Sequence, residues 1–196
     1  MLIRLSQPSG LLVSVDDVKA QAVIDTSDDD ALLDAYIRAA TRLTEDRTGR
    51  ILLPTELEWR GETWREPLCI PAFPIRSVTQ VVYLDEDQAE QTLAAADWYQ
   101  VETGDGLEIR FTDSFASPSL SDRPQAVRVR FVAGYDDPAE SGSGDDPALE
   151  QDPLDRLIVT ILTAHFYALR EPVSADAVNS VPFSADALIA MRRIYR

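Results

Sequence analysis

The sequence has very little of two residue types that stabilise many small folds: it holds one cysteine, Cys69, and one histidine, His165. A single cysteine excludes an intramolecular disulfide, and 196 residues can bury enough apolar surface to fold without one. Within "PLCIP" we interpret Cys69 as a small buried apolar residue. A single histidine excludes metal sites built from several histidines. His165 lies on an apolar helical face, which predicts a core or interface residue.

Long apolar runs are also lacking. No window reaches the roughly 18 uncharged apolar residues that a membrane-spanning helix requires. The N-terminal stretch "MLIRLSQPSGLLVSV" is interrupted by polar residues, proline and glycine, so it does not have the pattern of a signal peptide. We therefore expect a soluble protein made inside the cell.

Positive charge is scarce, with 18 basic against 34 acidic residues and a formal net charge of -16. Because affinity for nucleic acid comes largely from cations that displace counterions from phosphates, this balance argues against stable DNA binding. The same negative field suits a wall past which DNA moves without binding.

Motifs of the common enzyme classes are absent from the sequence, which has no GxxxxGK[ST], GxGxxG or GxSxG. The acidic clusters "SDDDA" and "LDEDQ" lack the spacing of a calcium loop, and we interpret the first as a helix cap and the second as a turn. We therefore expect no catalytic residues, metal or cofactor. An acid-rich carbohydrate-active enzyme stays open as a remote alternative, although no carboxylate pair is marked out.

The N-terminal part predicts two helices. Ser14 with Asp17 predicts the cap of a helix over "VDDVKAQAVI", and Ser27 with Asp30 predicts the cap of a second helix that ends at Gly49. Apolar residues at helical spacing predict the buried faces of the two helices: Val15, Val18, Ala22 and Val23 in the first, and Leu32, Leu33, Tyr36, Ile37, Ala40 and Leu43 in the second.

The middle of the chain predicts strands. "VRVRF" at 127–131 alternates apolar and basic residues, as in a strand with one buried face. "GDG" at 104–106 predicts a hairpin turn, and Gly134 predicts a turn or bulge with positive φ. The prolines of this region predict sheet edges or turns; they are Pro67, Pro71 and Pro74. The tryptophans predict packing within the core or on a sheet face; they are Trp59, Trp64 and Trp98.

The C-terminal part predicts a solvated acidic linker followed by two helices. Residues 134–152 have few apolar groups. Asp152 as cap and Pro153 as first residue then open a long helix, and Ser184 predicts the cap of a short last one. The predicted apolar face of the long helix consists of Leu154, Leu157, Ile158, Ile161, Leu162, His165 and Leu169.

The chain ends in "IAMRRIYR", where arginines alternate with apolar and aromatic residues against an acidic background. A frayed tail is one interpretation. The other is a protein interface, because arginine and aromatic residues are enriched at the centres of interfaces.

Taken in order, several segments resemble the head-tail connector (adaptor) proteins of tailed phages and of gene transfer agents. The resemblance to the adaptor of gene transfer agents is particularly close. They are "DDDALLDAYIRAATRLTEDRTGRIL", "LCIPAFPIRSVTQVVYLDED", "WYQVE", "VRVRFVAGYDD", "LDRLIVTILTAHFYALRE" and "VPFSADALIAMRRIYR". The resemblance implies an α+β fold in one connector domain over 1–196. Its helical core would comprise 14–52 and 153–196, with a mostly antiparallel β insertion at about 55–133 and an acidic linker at 134–152.

The resemblance further implies a structural role in the neck of a virion or gene transfer agent particle, assembled in the bacterial cytoplasm. The protein would form a twelve-membered ring below the portal, contact stopper or tail proteins, and continue a channel through which DNA passes without specific binding. A tail-completion or stopper protein is the alternative. The portal-docking residues that the resemblance implies are Leu188, Met191, Arg192, Arg193, Ile194, Tyr195 and Arg196.

Overall fold

The computed structural model describes residues 1–104, 106–137, 149–169 and 183–194. They contain four α-helices and two antiparallel sheets. The α+β class is therefore confirmed. The chain divides into two compact units, a β unit of residues 1–8 and 54–134 and a helical unit of residues 9–53 and 135–195.

The helical unit contains α1 (Val15–Ala22), α2 (Asp30–Thr48), α3 (Pro153–Ala168) and α4 (Phe183–Arg192). Each helix contributes apolar side chains to a common core, because its apolar residues recur at spacings of three and four. The fully buried members of this core include Val18, Leu33, Ile37, Ile158 and Leu162.

Local capping signals predicted from the sequence fix three of the helix ends. Ser14 and Asp17 form the predicted capping box of α1, Gly49 ends α2 with φ 75°, and Asp152 caps α3 ahead of Pro153. The predicted Ser27 cap is wrong. Helix α2 begins at Asp30 after Asp29, and the carbonyl oxygen of Ser27 accepts the Asp30 N–H.

Three predicted burial assignments in the helical unit are wrong. Val23 follows α1 with φ 54° and is 83% exposed, because the chain turns away from the helix there. Leu157 and Leu169 are each 44% exposed, because α3 packs through the face that carries Ile158 and Leu162 instead. Ser184 does not precede α4 but lies within it.

The described residues of the β unit form eight strands. In chain order they are β1 (Leu2–Arg4), β2 (Thr55–Gly61), β3 (Leu68–Ile70), β4 (Ile75–Leu84), β5 (Glu90–Thr92), β6 (Trp98–Thr103), β7 (Gly106–Phe111) and β8 (Val127–Ala133). One sheet has the order β1-β2-β8-β4-β5 and the other β3-β7-β6. All pairs are antiparallel, so the predicted antiparallel pairing is confirmed.

Alternation along the strands builds the core of the β unit. In β8, Val127, Val129 and Phe131 are buried, whereas the arginines between them are half-buried, as predicted. The predicted hairpin is confirmed by the antiparallel pairing of β6 with β7, in which Thr103 lies opposite Gly106. The prediction for Cys69 is wrong: it is exposed, because its neighbours in β3 are the residues that point into the core.

Candidate functional site

The predicted docking residues lie on and directly after α4. Leu188 and Ile194 are half-buried, Arg193 is exposed, and Met191 is 74% exposed. Tyr195 and Arg196 lie outside the described residues. The buried residues of the helix are Ala185 and Ile189, so Met191 and Arg193 lie outside the face that packs on the helical unit.

Arg192 is held inside the helical unit by two carboxylates. Its Nε donates to Oδ1 of Asp155 over 2.9 Å and its Nη2 to Oδ2 of Asp155 over 2.6 Å. Its Nη1 lies 2.7 Å from Oδ2 of Asp152. Two parallel N–H to oxygen bonds are the strongest geometry available to this ion pair. We call these three residues the Arg192 cluster.

The Arg192 cluster joins the end of one helix to the start of another. Asp152 and Asp155 lie at the start of α3, where the positive end of the helix dipole favours carboxylates, and Arg192 lies in the last turn of α4, where the dipole favours a cation. Asp152 also accepts the Leu154 N–H over 2.9 Å through its other oxygen. Each charge therefore stabilises both its partner and its own helix end.

The C-terminal end of α2 holds the main chain of the same segment. Arg50 donates from Nε to the carbonyl oxygen of Arg192 over 2.9 Å and from Nη1 to the hydroxyl of Tyr135 over 2.6 Å. The Ile194 N–H donates to the carbonyl oxygen of Thr48 over 2.8 Å. The backbone is thus hydrogen-bonded on both sides of residue 193.

One ion pair also fixes the beginning of α4. Nη1 of Arg47 lies 2.7 Å from Oδ1 of Asp186, and both side chains are solvent-exposed. An exposed pair of this kind stabilises a fold by roughly 0–1 kcal/mol. The orientation of α4 therefore depends mainly on its buried side chains and on the Arg192 cluster.

The environment of Arg192 favours its charged form. Hydrogen bonds to Asp155 raise the pKa of Arg192 above its ordinary value, and the charges of Asp155 and Asp152 add to this effect, which outweighs the opposing effect of burial. Asp155 is 1% exposed, so its carboxylate depends on Arg192 for compensation.

The residues predicted from the sequence for this site do not include Asp155, although the sequence carries a signal for it. Asp155 lies three residues after the cap Asp152 and one turn before Ile158, on the face of α3 that packs inward. A carboxylate on a core-facing position requires a cation or a set of donors. The sequence does not show which cation supplies it, because Arg192 is 37 residues away.

A second charged cluster lies on the five-stranded sheet of the β unit. Glu58 accepts hydrogen bonds from Arg60 over 2.5 Å and from Arg130 over 2.8 Å. Glu90 pairs with Arg130 over 2.9 Å and with Arg128 over 3.2 Å. We call these five residues the sheet network. Every carboxylate in it is bound to arginine, so we interpret it as structural.

The described residues contain neither a metal-binding cluster nor a membrane-spanning helix. Among the described residues, no group of three or more histidine, cysteine or acidic side chains is arranged to hold a metal ion. Within the same ranges, no helix combines the length and apolar character needed to cross a membrane.

Comparison with known proteins gives a family match over part of the chain and a fold match over all of it. The family model described as "Phage gp6-like head-tail connector protein" matches residues 13–102 of this chain. No curated protein matches. Over the whole chain, the fold is similar to those of chains solved in gene transfer agent (GTA) particles.

Three such chains are reported. One comes from the virion of the native particle, with 24% identity and a TM-score of 0.76. Another comes from the neck of the empty particle, computed with C6 symmetry, with 25% identity and a TM-score of 0.73. The third comes from the neck of the native particle, computed with C12 symmetry, with 24% identity and a TM-score of 0.74. Each match covers 100% of this chain and 96% of the other.

These matches agree with one another. The family model covers α1, α2, strands β2 to β5 and most of β6, and the structural likeness extends over the rest of the chain, α3 and α4 included. The resemblance to a head-tail connector predicted from the sequence is therefore confirmed.

Proposed function

We propose that the protein is a structural head-tail connector in the neck of a phage-like or gene transfer agent particle, where it joins the DNA-filled head to the tail. The observation that carries this proposal is the likeness of the whole chain to a GTA neck protein, at 25% identity and a TM-score of 0.73. The family match over residues 13–102 supports it independently. We infer no catalytic role, and the four helices would form the core into which the strands are inserted.

The proposed assembly is a ring of identical subunits. Two of the similar neck chains come from structures computed with C6 and C12 symmetry, which a ring of twelve satisfies. A ring needs two different surfaces of each subunit that fit each other. In a chain with a net charge of -16, copies repel one another, so the contact is favoured where acidic side chains are absent.

The outer face of α3 fits one side of such a contact. It presents a stripe of uncharged residues at helical spacing, and it is not the face that packs in the helical unit. Leu157, in the middle of the stripe, is 44% exposed. We propose that a second copy of this chain covers it. We call this stripe the α3 outer face; its members are Leu154, Leu157, Ile161, Ala164, His165 and Ala168.

The acidic composition fits a channel for DNA. A ring of subunits that each carry -16 would surround its lumen with negative potential, so that DNA passes without binding tightly. Reversing the charge of several lumen-facing acids should slow or arrest DNA delivery. Unchanged delivery by such a variant would contradict the channel proposal.

The proposed contact with the portal is the C-terminal segment, comprising Leu188, Met191, Arg193 and Ile194 together with Tyr195 and Arg196. Met191 is exposed on the side of α4 that does not pack in the helical unit, and Arg193 is exposed directly after the helix. An arginine fork beside an apolar side chain suits a partner surface with carboxylates or carbonyl oxygens around an apolar pocket. Local complementarity of this kind is independent of the net charge of the subunit.

A variant that changes only exposed or terminal residues tests this function. It combines Met191→Ser and Arg193→Ser with removal of the last two residues, and it leaves Ile189 and the Arg192 cluster intact. We expect folded protein and, in electron micrographs of particles, DNA-filled heads without tails. Val23→Ser with Arg42→Ser is the matched control, because both side chains are exposed in the same unit.

The outcome also separates the alternatives. Tailed particles made with the C-terminal variant would contradict docking through this segment. Crosslinking of the wild-type protein to tail proteins but not to portal would favour a stopper or tail-completion protein instead.

A further inference from the structure

We infer that Arg192 is a positioning residue: the Arg192 cluster fixes the position and direction of the chain at Arg193 and Ile194, and Arg192 does not itself bind the portal. This inference rests on the proposed docking function of the C-terminal segment. It assigns a role that differs from the one implied by the resemblance, in which Arg192 belongs to the contact.

The guanidinium of Arg192 is already bound to carboxylates within the protein. All three of its nitrogens bind carboxylate oxygens of the same chain, at 2.6 to 2.9 Å. Its side chain is 15% exposed, and that of Asp155 is 2% exposed. For Arg192 to reach a portal group, the buried carboxylate of Asp155 would lose its cation. Leaving a buried charge without its partner is among the costliest changes that a fold can undergo.

The backbone around Arg193 is fixed from both sides. Arg50 binds the carbonyl oxygen of Arg192, and the carbonyl oxygen of Thr48 binds the N–H of Ile194. Two anchored peptide groups therefore flank an exposed side chain. Because Thr48 at the end of α2 and Arg50 just after it make these contacts, the direction of the chain at Arg193 is set by the helical unit before any partner arrives.

Prior positioning makes binding tighter. A segment that is already in its bound orientation loses less conformational freedom on docking than one that samples many orientations. If loss of the Arg192 cluster left the segment in the competent orientation about one tenth of the time, the apparent Kd would rise about tenfold. This weakening would occur although no group that touches the portal had changed.

The test measures binding of the purified protein to the purified portal ring from the same particle. Arg192→Gln and, separately, Asp155→Asn remove the ion pair, and we expect each to raise the Kd about tenfold or more. Circular dichroism and thermal unfolding check that each variant is folded. Thr160→Ala on the partly exposed side of α3 is the control and should leave the Kd unchanged.

An engineered disulfide distinguishes positioning by Arg192 from direct contact with the portal, because it can hold the segment in place without Arg192. A Cβ at Gly49 would lie 3.9 Å from Cβ of Ile194, which is within the range that a disulfide requires. Gly49→Cys with Ile194→Cys, in a Cys69→Ser background, would tie the segment to the end of α2 without Arg192. The positive φ of Gly49 makes the cysteine there somewhat strained, so each variant is compared with the same disulfide in the presence of Arg192.

Four outcomes decide the inference. The inference is supported if oxidation of the double-cysteine Arg192→Gln variant lowers its Kd to within about twofold of the Kd of the oxidised double-cysteine protein that keeps Arg192. Reduction of the disulfide should then raise the Kd of the variant again. Failure of the disulfide to restore binding would mean that Arg192 contacts the portal itself. Loss of binding when the protein with Arg192 is oxidised would mean that the segment must leave α2 to dock. Either of these last two results overturns the inference, as does an Arg192→Gln variant that binds normally. Absence of binding by the unaltered protein would instead contradict the proposed docking function.

Discussion

Glu58 on β2 lies directly opposite Arg130 on β8, and its Oε2 accepts a 2.8 Å hydrogen bond from Nε of that arginine. Its other oxygen binds Arg60, and the Glu58 side chain is 2% exposed. Burial alone would raise the pKa of Glu58, but hydrogen bonds from Arg130 and Arg60 outweigh it and lower the pKa below the ordinary value of 4.5.

This pKa predicts how the stability of the protein depends on pH. A carboxyl group with a lowered pKa in the folded state stabilises the fold fully above its unfolded pKa, and the stabilisation is lost as the pH falls through the folded pKa. We expect Glu58→Gln to lower the free energy of unfolding by about 2 kcal/mol at pH 7. The difference from wild type should shrink as the pH falls below about 4.5. Urea unfolding of both proteins at pH 7, 4 and 3 measures this difference in the free energy of unfolding.

Glu108→Gln is the control for this experiment. Glu108 also pairs with an arginine in the β unit, Arg110, at 2.8 Å, but that arginine is 46% exposed. We expect a much smaller effect on the free energy of unfolding, because solvent screens the pair. Equal effects of the two substitutions would show that the sheet network has no special importance for stability.

Gly106 begins β7 at a point where a side chain has no space. A Cβ there would overlap the carbonyl oxygen of Ile70, which is part of the backbone and cannot rotate away, whereas nothing lies within 4 Å of a Cβ at Gly104 in the same hairpin. We expect Gly106→Ala to destabilise the protein by about 3 kcal/mol and Gly104→Ala to change stability by less than about 1 kcal/mol. Thermal unfolding of the Gly106→Ala and Gly104→Ala variants measures the difference in stability. Similar values would contradict the close approach of β3 and β7.

Leu157→Glu tests the α3 outer face as a subunit contact. Because Leu157 is 44% exposed, the substitution should not unfold the subunit, but it would place a negative charge in the proposed contact between acidic subunits. We expect wild-type protein to fill portal rings cooperatively, and the variant to bind with lower occupancy and without cooperativity. Native mass spectrometry of the complexes counts the copies. The control is Val23→Glu at another exposed valine of the helical unit, and full cooperative rings from the Leu157 variant would contradict the contact.

The features that were predictable from the sequence are mainly local ones. Ser14 and Asp17 lie in one turn and form their capping box whatever the rest of the chain does. Local signals also set the end of α2 at Gly49 and the start of α3 at Pro153. The alternation in β8 was equally visible, because the period of two identifies one buried face.

The errors concern features that depend on packing between distant segments. Leu157 has the same apolar character as Ile158, and only the position of α2 against α3 determines which of them is buried. The small apolar character of Cys69 predicts a core position, but the register of β3 on β7 turns its side chain outward.

The candidate site was predictable only in part. The composition of "MRRIYR" predicts an interface, but nothing in it distinguishes the half-buried Arg192 from the exposed Arg193. That distinction comes from Asp155 and Thr48, which lie far away in the sequence and meet the C-terminal segment only in the folded helical unit.

The most direct test of the central claim is an electron cryomicroscopy reconstruction of the particle neck that contains this protein. We predict a ring of this protein immediately below the portal, with the residues that follow Arg192 in contact with portal density and Arg192 still paired with Asp155. A neck in which this protein is absent from the layer next to the portal, or in which its C-terminal residues face solvent while another surface contacts the portal, would contradict the account.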